Sequence, residues 1–195
     1  KHFRFGPDGL LGRLDSPDGG RVLEIGCGTG RNLIWAARRN PQALFYGIDI
    51  SRQMLLSADE KARRAGLEAR IFTARGDGEG FDAMAHFGLS GFDRVVLSYT
   101  LSMIPDWEKA LAHALAQLNE RGSLHIVDFG EMEVWPAFAA CAMRGWLARF
   151  HVAPRARLPE IATRLAAEKG LAARTRRIAG GYAWMIVVGP AKERP

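Results

Sequence analysis

Apolar residues in this chain come in short runs bounded by turn residues, and strand-like runs alternate with helical ones. Val22-Leu23-Glu24-Ile25 reads as a short buried strand with one acidic residue among apolar ones, and a helix is expected from Asn32 to Arg39. Leu44 to Asp49 is a second apolar strand, and Ser51 is an N-cap for a helix reaching about Ala65. Ala69 to Arg75 is a third strand, closed by Gly76-Asp77-Gly78. Phe92 to Thr100 is a fourth, with Val95 to Leu97 buried on both faces. Asp106 caps a helix whose apolar positions recur at Leu111, Leu115 and Leu118 and which Arg121-Gly122 ends. A fifth strand is expected over Gly122 to Gly130, with Leu124 to Val127 as its core and Asp128 near its carboxyl end. A helical stretch from about Trp135 to Phe150 follows, then Pro154, then a helix from Pro159 to Lys169. Two late strands, Ala173 to Ile178 and Tyr182 to Val188, are joined through Gly180-Gly181. Strand–helix alternation closed by a hairpin predicts an α/β fold, a mainly parallel seven-stranded sheet with helices on both faces.

The turn after the first strand carries the most chemistry. Gly26, Gly28 and Gly30 stand in Gly-Cys-Gly-Thr-Gly at the carboxyl end of a strand, where open α/β sheets bind ligands. Glycine is needed where the backbone takes φ > 0 or admits a ligand closer than a Cβ allows. A dinucleotide fingerprint requires Gly-x-Gly-x-x-Gly, and here Arg31 stands where its last glycine belongs. A phosphate loop ending in Gly-Lys-Ser/Thr is absent. Glu24 repels a phosphate but accepts from an amino group, directly or through water. A ligand joining an α-amino acid to a nucleoside fits better than one carrying phosphates. Asp49, 19 positions after Gly30, can accept both ribose hydroxyls, and Asp77 can accept from an adenine amine.

With these residues in this order and at βαβ spacing, the chain resembles the class I S-adenosylmethionine-dependent methyltransferases. The resemblance implies S-adenosylmethionine as cofactor, S-adenosylhomocysteine as product, a Rossmann-like fold, and one antiparallel strand inserted by the closing hairpin. It implies cofactor contacts from Glu24, Gly26, Cys27, Gly28, Thr29, Gly30 and Asn32 around the turn. Further contacts are implied from Asp49, Ile50 and Met54, from Asp77 and Gly78, and from Ser98. Cys27 needs only to be small, with a backbone contact and no thiol chemistry. A single domain over residues 1–195 is expected, with a cofactor-binding core (22–130), a helical insertion that caps the acceptor (131–172) and the closing hairpin (173–189).

Composition narrows the setting. A chain of 195 residues with 48% hydrophobic content suffices for one core. No stretch approaches the roughly 20 uninterrupted apolar residues of a membrane span. No secretory signal is visible, and Lys1 is not an initiator Met, which leaves room for an earlier start. Cys27 and Cys141 form no Cys-x-x-Cys pair, favouring a reducing compartment and arguing against a metal. Residues 144–195 hold eleven of the 27 basic residues and three of the 21 acidic ones. Such an end suits an anionic surface, lipid or nucleic acid, while an arginine-rich soluble surface is the alternative reading.

Four later stretches carry a narrower resemblance. They are Leu-Ser-Tyr-Thr-Leu-Ser-Met-Ile-Pro (97–105), His-Ile-Val-Asp-Phe-Gly (125–130), Trp-Leu-Ala-Arg-Phe-His-Val-Ala-Pro-Arg (146–155) and Gly-Gly-Tyr-Ala-Trp (180–184). They are similar to the diacylglycerylhomoserine N-methyltransferases of bacterial betaine-lipid synthesis. That family implies three successive methyl transfers to the α-amine of a homoserine ether-linked to diacylglycerol. It also implies a cytoplasmic protein held peripherally on the inner face of the cytoplasmic membrane.

Such chemistry needs a positioned neutral amine more than a strong base, with Tyr99 or Asp128 as candidate proton relays. Aromatic faces suit the growing cation, and Tyr99, Trp107, Tyr182 and Trp184 are candidates. Substrate contacts are expected from Tyr99, Met103, His151, Arg155 and Tyr182, with Arg155 as a fork for the substrate carboxylate. His151 suits a structural role equally well, and His125, in mid-strand, reads as a core group. Ser98 and Tyr99 stand where amino-methyltransferases of the Asn/Asp-Pro-Pro-Tyr type carry their signature, and this chain departs from it. The stretch Trp135 to Phe150, with Phe138, Met143, Trp146, Leu147 and Phe150 among Arg144 and Arg149, suits an anionic interface or a cap over the site.

The resemblance also implies an amino-terminal segment that helps cover the cofactor, and here Lys1 to Asp18 precede the first strand. Two rivals are a methyltransferase for a soluble small amine or carboxylate and, last, an RNA methyltransferase using the basic end. No aromatic-rich RNA platform is visible.

Overall fold

A computed structural model describes residue 17 and residues 19–191, so the expected amino-terminal cover lies outside the described residues. The strands are β1 (Arg21–Ile25), β2 (Leu44–Asp49), β3 (Ile71–Arg75), β4 (Phe92–Ser98), β5 (Leu118–Phe129), β6 (Ala172–Ile178) and β7 (Ala183–Gly189). The helices are α1 (Arg31–Arg39), α2 (Arg52–Arg64), α3 (Ala83–Phe87), α4 (Trp107–Ala116), α5 (Ala137–Ala148) and α6 (Leu158–Glu168). Strand order is β3-β2-β1-β4-β5-β7-β6, with β7 antiparallel to both its neighbours. The parallel strands reverse order between β1 and β4, and ligands bind at that switch point in open α/β sheets.

Alternation along the strands sends side chains to two cores. Leu23, Ile25, Val95, Leu97, Leu124 and Ile126 pack with Leu111 and Leu115 of α4 and Leu158 and Ile161 of α6. Val22, Phe45, Val96 and Val127 pack on the opposite face with Leu33 of α1 and Leu55 of α2. Each fully buried side chain of this size contributes about 1.5–3 kcal/mol. A third, smaller cluster joins Met132, Ala140, Leu147 and Val152 under α5.

Ser51 Oγ accepts from the Met54 N–H at 3.4 Å and Asp106 Oδ1 from the Lys109 N–H at 3.3 Å, as their N-cap positions predict. Three expectations are corrected. The helix expected to run to residue 121 stops at Ala116, and Leu118 begins β5 by pairing with Phe92. Its apolar side chain satisfies either period, and pairing across a register shift in β4 decides for the strand. The fourth strand ends at Ser98 because Tyr99 turns left-handed, φ 54°. The short α3 was not expected, although Asp82 caps it through the N–H groups of Met84 and Ala85 and Gly88 closes it.

Candidate active site

The glycine turn is built by conflicting steric demands. Gly26, Gly28 and Gly30 all have positive φ. A Cβ on Gly26 would stand 2.5 Å from Thr100 Cγ2, and one on Gly30 would stand 2.9 Å from Ala58 Cβ. Gly28 differs, because a Cβ there would meet nothing within 4 Å. Its backbone therefore faces open space at the carboxyl end of β1, a place for a ligand to approach.

Two carboxylates brace this turn. Asp49, ending β2, accepts from the Gly28 N–H through Oδ2 at 2.8 Å and from the Ser51 N–H through Oδ1 at 2.8 Å. Glu24 lies under the turn, 2% exposed, and its Oε1 accepts from Asn32 Nδ2 at 2.6 Å. Its Oε2 is buried without a hydrogen-bond partner. Burial, reinforced by the nearby Asp49 charge, pushes the Glu24 carboxyl up to about 8 despite the opposing hydrogen bond from Asn32. An unpartnered buried carboxylate oxygen costs on the order of 1–3 kcal/mol, so this site gains when a donor arrives.

Beside the turn lies a cavity of about 480 Å³. Ile25, Gly26, Ile48, Asp49 and Ile50 form one side, Gly76 to Glu79 another, and Thr100 with Met103 to Pro105 the third. Polar groups thus converge on a mostly apolar hollow, the usual build of a small-molecule site. Asp77 is exposed at its rim, one oxygen accepting from the Glu79 N–H at 3.0 Å. Met54 is exposed on the first turn of α2, outside the cavity lining, and Ser98 ends β4 with its carbonyl accepting from Thr100 Oγ1 at 3.2 Å. Thr29 lines a different, open cleft of about 450 Å³ with Arg31, Arg38, Lys61 and Arg64. A cationic sulfonium is repelled by that set, so the acidic cavity is its electrostatic match. Cys27 is 6% exposed, packs over Gly47, and burial raises its thiol pKa, so it stays an unreactive small residue.

Past the end of β4 the chain enters an aromatic cluster. Tyr99 packs on Phe129 (ring centroids 4.7 Å apart), Phe129 on Tyr182 (5.6 Å), and Tyr182 on Trp135 (6.0 Å). Trp135 Nε1 donates to Ala179 O at 2.9 Å. All four residues are half-buried. Non-glycine residues with positive φ gather here, Tyr99 at 54°, Met132 at 58° and Ala179 at 48°, the sort of local strain that clusters at functional sites. Burial pushes the Tyr99 hydroxyl up to about 12, with the neighbouring Tyr182 and Asp128 adding to the rise. It stays protonated and is no general base.

Several predicted roles change with the packing. Asp128 is 1% exposed, and its oxygens accept from the Ser102 N–H at 3.1 Å and the Phe129 N–H at 2.8 Å. Burial raises its pKa, yet the carboxylate serves to hold the loop after β4 rather than to reach a substrate proton. Arg155 is no open fork. Its Nε donates to Leu101 O at 3.2 Å and Nη2 to Ile104 O at 2.7 Å, and the guanidinium lies 6.0 Å over the Trp107 ring. Trp184 is buried in the α4–α6 core, away from the aromatic cluster, and Arg177 covers it at 5.2 Å. His151 is exposed beyond α5 with φ 58°. His125 is buried, burial drives its pKa down to about 4, and Ser123 Oγ meets its Nε2 at 2.9 Å, so it is a neutral core group.

Phe129 and Trp135, which complete the aromatic cluster, are not among the aromatic candidates read from the sequence, because they stand far from Tyr99 and Tyr182 in the chain. The place of Thr100 under Gly26 is likewise visible only in the packing. Among the described residues, no three or more His, Cys, Asp or Glu are grouped to hold a metal ion.

Residues 22–122 match the family model of the methyltransferase domain. The chain is 33% identical over 132 residues to the phosphatidylethanolamine N-methyltransferase of Cereibacter sphaeroides, covering 68% of this chain and 60% of that protein. It is 30% identical over 119 residues to the methyltransferase GfsG of Streptomyces halstedii, covering 61% of this chain and 41% of that protein. The chain thus spans about half the length of the curated relatives it matches. Its fold is shared with the YcgJ protein of Bacillus subtilis at a TM-score of 0.72 and 16% identity, covering 96% of this chain and 98% of that one. It is shared too with phosphoethanolamine N-methyltransferase 2 of Haemonchus contortus in complex with S-adenosyl-L-methionine, at 0.71 and 21%, over 88% of this chain and 38% of that one. The acidic cavity, the buried unpartnered Glu24 oxygen and the family match together identify the chain as a member of the S-adenosylmethionine-dependent methyltransferase domain family.

Proposed function

We propose that this domain N-methylates the amine of a diacyl-lipid headgroup, with diacylglycerylhomoserine as acceptor, three times in succession to yield a betaine lipid. The observation that carries the reading is the aromatic cluster of Tyr99, Phe129, Tyr182 and Trp135 directly past the end of β4. Aromatic rings attract an amine in its cationic forms, including the permanent cation that the third transfer makes.

Bound S-adenosylmethionine supplies an electrophilic methyl on a sulfonium. Glu24 Oε2 receives the amino group of its methionyl part, Asp49 accepts from the ribose hydroxyls, and Asp77 with Gly78 borders the adenine, with Ile50 and Met103 as apolar cover. The Gly28 backbone, freed of a Cβ, admits the ligand to the sheet end. On the acceptor side, the work is positioning and exclusion of water. Transfer needs the acceptor amine in its neutral form, with its lone pair held toward the methyl group. Each of the first two transfers leaves an ammonium whose proton passes to solvent before the next one, and the third leaves none to lose, so a protonated Tyr99 need not act as the base. Asp128 and Arg155 act at one remove, fixing the loop from Leu101 to Ile104 that carries Met103.

Peripheral attachment to the inner face of the cytoplasmic membrane belongs to this reading. No helix of the described residues is long and apolar enough to cross a membrane. A second acceptor, phosphatidylethanolamine, has one specific support, the name of the Cereibacter sphaeroides relative. Arg155 is engaged by backbone carbonyls, so a carboxylate on the acceptor is not demanded by that residue.

The test is incubation with S-adenosylmethionine and each lipid in mixed micelles, following the headgroup by mass spectrometry. Successive gains of one, two and three methyl groups on diacylglycerylhomoserine are expected. Tyr182→Ala is expected to slow the third transfer about tenfold more than the first, in line with a cation–π contribution of roughly 1–2 kcal/mol. Methylation of soluble amines without micelles, with both lipids untouched, overturns the lipid reading.

A further inference from the structure

Helix α5 is amphipathic the wrong way round for a helix that only caps a core. It buries Ala140 and Leu147 on Met132 and Val152, with Met143, Trp135 and Tyr182 alongside. Its outer side carries some of the largest apolar groups left exposed among the described residues, Phe138 at 79% and Trp146 at 54%. Val134 before the helix is 68% exposed and Phe150 after it 59%. Trp146 and Phe150 pack on each other, ring centroids 4.9 Å apart, so the patch is continuous at that end. An apolar face of this kind on a helix marks an interaction surface.

Charge selects the occupant. From Val134 to Pro159 the chain holds four arginines and no Asp or Glu. Arg144 and Arg149 are exposed among the apolar groups, and arginine stems lie along apolar surface while their heads reach outward. A helix with large apolar side chains and only cations between them fits the headgroup layer of an anionic bilayer. A second protein copy would bury those cations against their own kind.

We propose that the outer face of α5, with Val134, Phe138, Trp146 and Phe150 as inserting groups, seats this domain in the surface of an anionic membrane. The small cluster that takes the inner side of this helix also packs against Trp135 and Tyr182, so one apolar cluster links the membrane-facing helix to the acceptor site. The inference deepens the lipid-amine reading and rests on it, but it is tested without turnover.

Cys141 is exposed on α5 and Cys27 is buried, so a polarity-sensitive thiol dye labels Cys141 selectively in the folded protein. The labelled protein is mixed with vesicles of phosphatidylcholine alone or of equal parts phosphatidylcholine and phosphatidylglycerol. A blue shift and co-sedimentation with the anionic vesicles are expected, weakening with salt. Phe138→Ser and Trp146→Ser are each expected to lower partitioning about tenfold. S-adenosylmethionine binding in both variants should stay within about twofold of the parent, which controls for folding.

Three outcomes overturn the proposal: no dye response to anionic vesicles, binding abolished by Arg144→Gln with Arg149→Gln yet indifferent to both serine variants, or self-association that those serine variants remove. Vesicle binding without headgroup methylation would sink the lipid-amine reading and leave this face standing. Methylation of micellar lipid without vesicle binding would do the reverse.

Discussion

Asp49→Ala is expected to lower affinity for S-adenosylmethionine by at least about 100-fold. Two hydrogen bonds to a charged acceptor, at roughly 1.5–3 kcal/mol each, account for that loss. The same carboxylate also accepts from the Gly28 and Ser51 N–H groups, so its removal releases the turn that the ligand must meet. Asp49→Asn is the sharper variant. An amide has one acceptor oxygen for two N–H groups, and its own NH₂ would face one of them. It is therefore expected to fail nearly as badly as alanine. Titration calorimetry on the three proteins checks this, and near-parent affinity in the asparagine variant would show that the carboxylate is not the ribose acceptor.

Glu24→Gln should change how binding depends on pH. In the free protein the Glu24 carboxyl sits at about 8, so at neutral pH it is largely protonated. Pairing with an ammonium requires it to lose that proton, and affinity rises up to tenfold per pH unit as pH approaches 8. An α-amino group itself loses charge near pH 8, so affinity peaks about there and falls beyond. Gln keeps the acceptor for Asn32 Nδ2 but has no proton to lose, and its acid limb is expected to be flat. At pH 8 the variant should bind on the order of 30-fold more weakly, a charged hydrogen bond being worth about 2 kcal/mol.

Stability supplies an independent check on the same group. Between the ordinary carboxylate value of 4.5 and about 8, the folded state holds a proton that the unfolded state has released. Unfolding free energy therefore falls as pH rises through that window. The glutamine variant escapes this loss, and above pH 8 the unliganded variant should exceed the parent by several kcal/mol, on the order of 4. A parent whose acid limb is already flat, and whose stability tracks that of the variant, would mean that Glu24 is ionised throughout.

The glycine turn, Glu24, Asp49 and the strand–helix alternation were legible in the chain because their causes are local. Three positive-φ positions, a caught N–H two residues after an aspartate and a run of apolar residues each depend on a few neighbours. The roles of Asp128 and Arg155 were not legible. Both occupy places where a reactive or recognising group is expected, and only packing reveals that backbone groups of the Leu101 to Ile104 loop already engage them. The boundary at Leu118 failed for a related reason, since its period suited a helix until Phe92 offered a strand partner.

The sequence by itself determined a mainly parallel α/β sheet and the glycine turn at the carboxyl end of β1, because backbone sterics and hydrophobic period act over a few residues. The tertiary structure alone decided the aromatic cluster, where Tyr99, Phe129, Trp135 and Tyr182 arrive from four separate segments. It alone decided, too, which side of α5 faces outward. Contacts between residues so distant in the chain are set by how whole elements pack, and no local period records them.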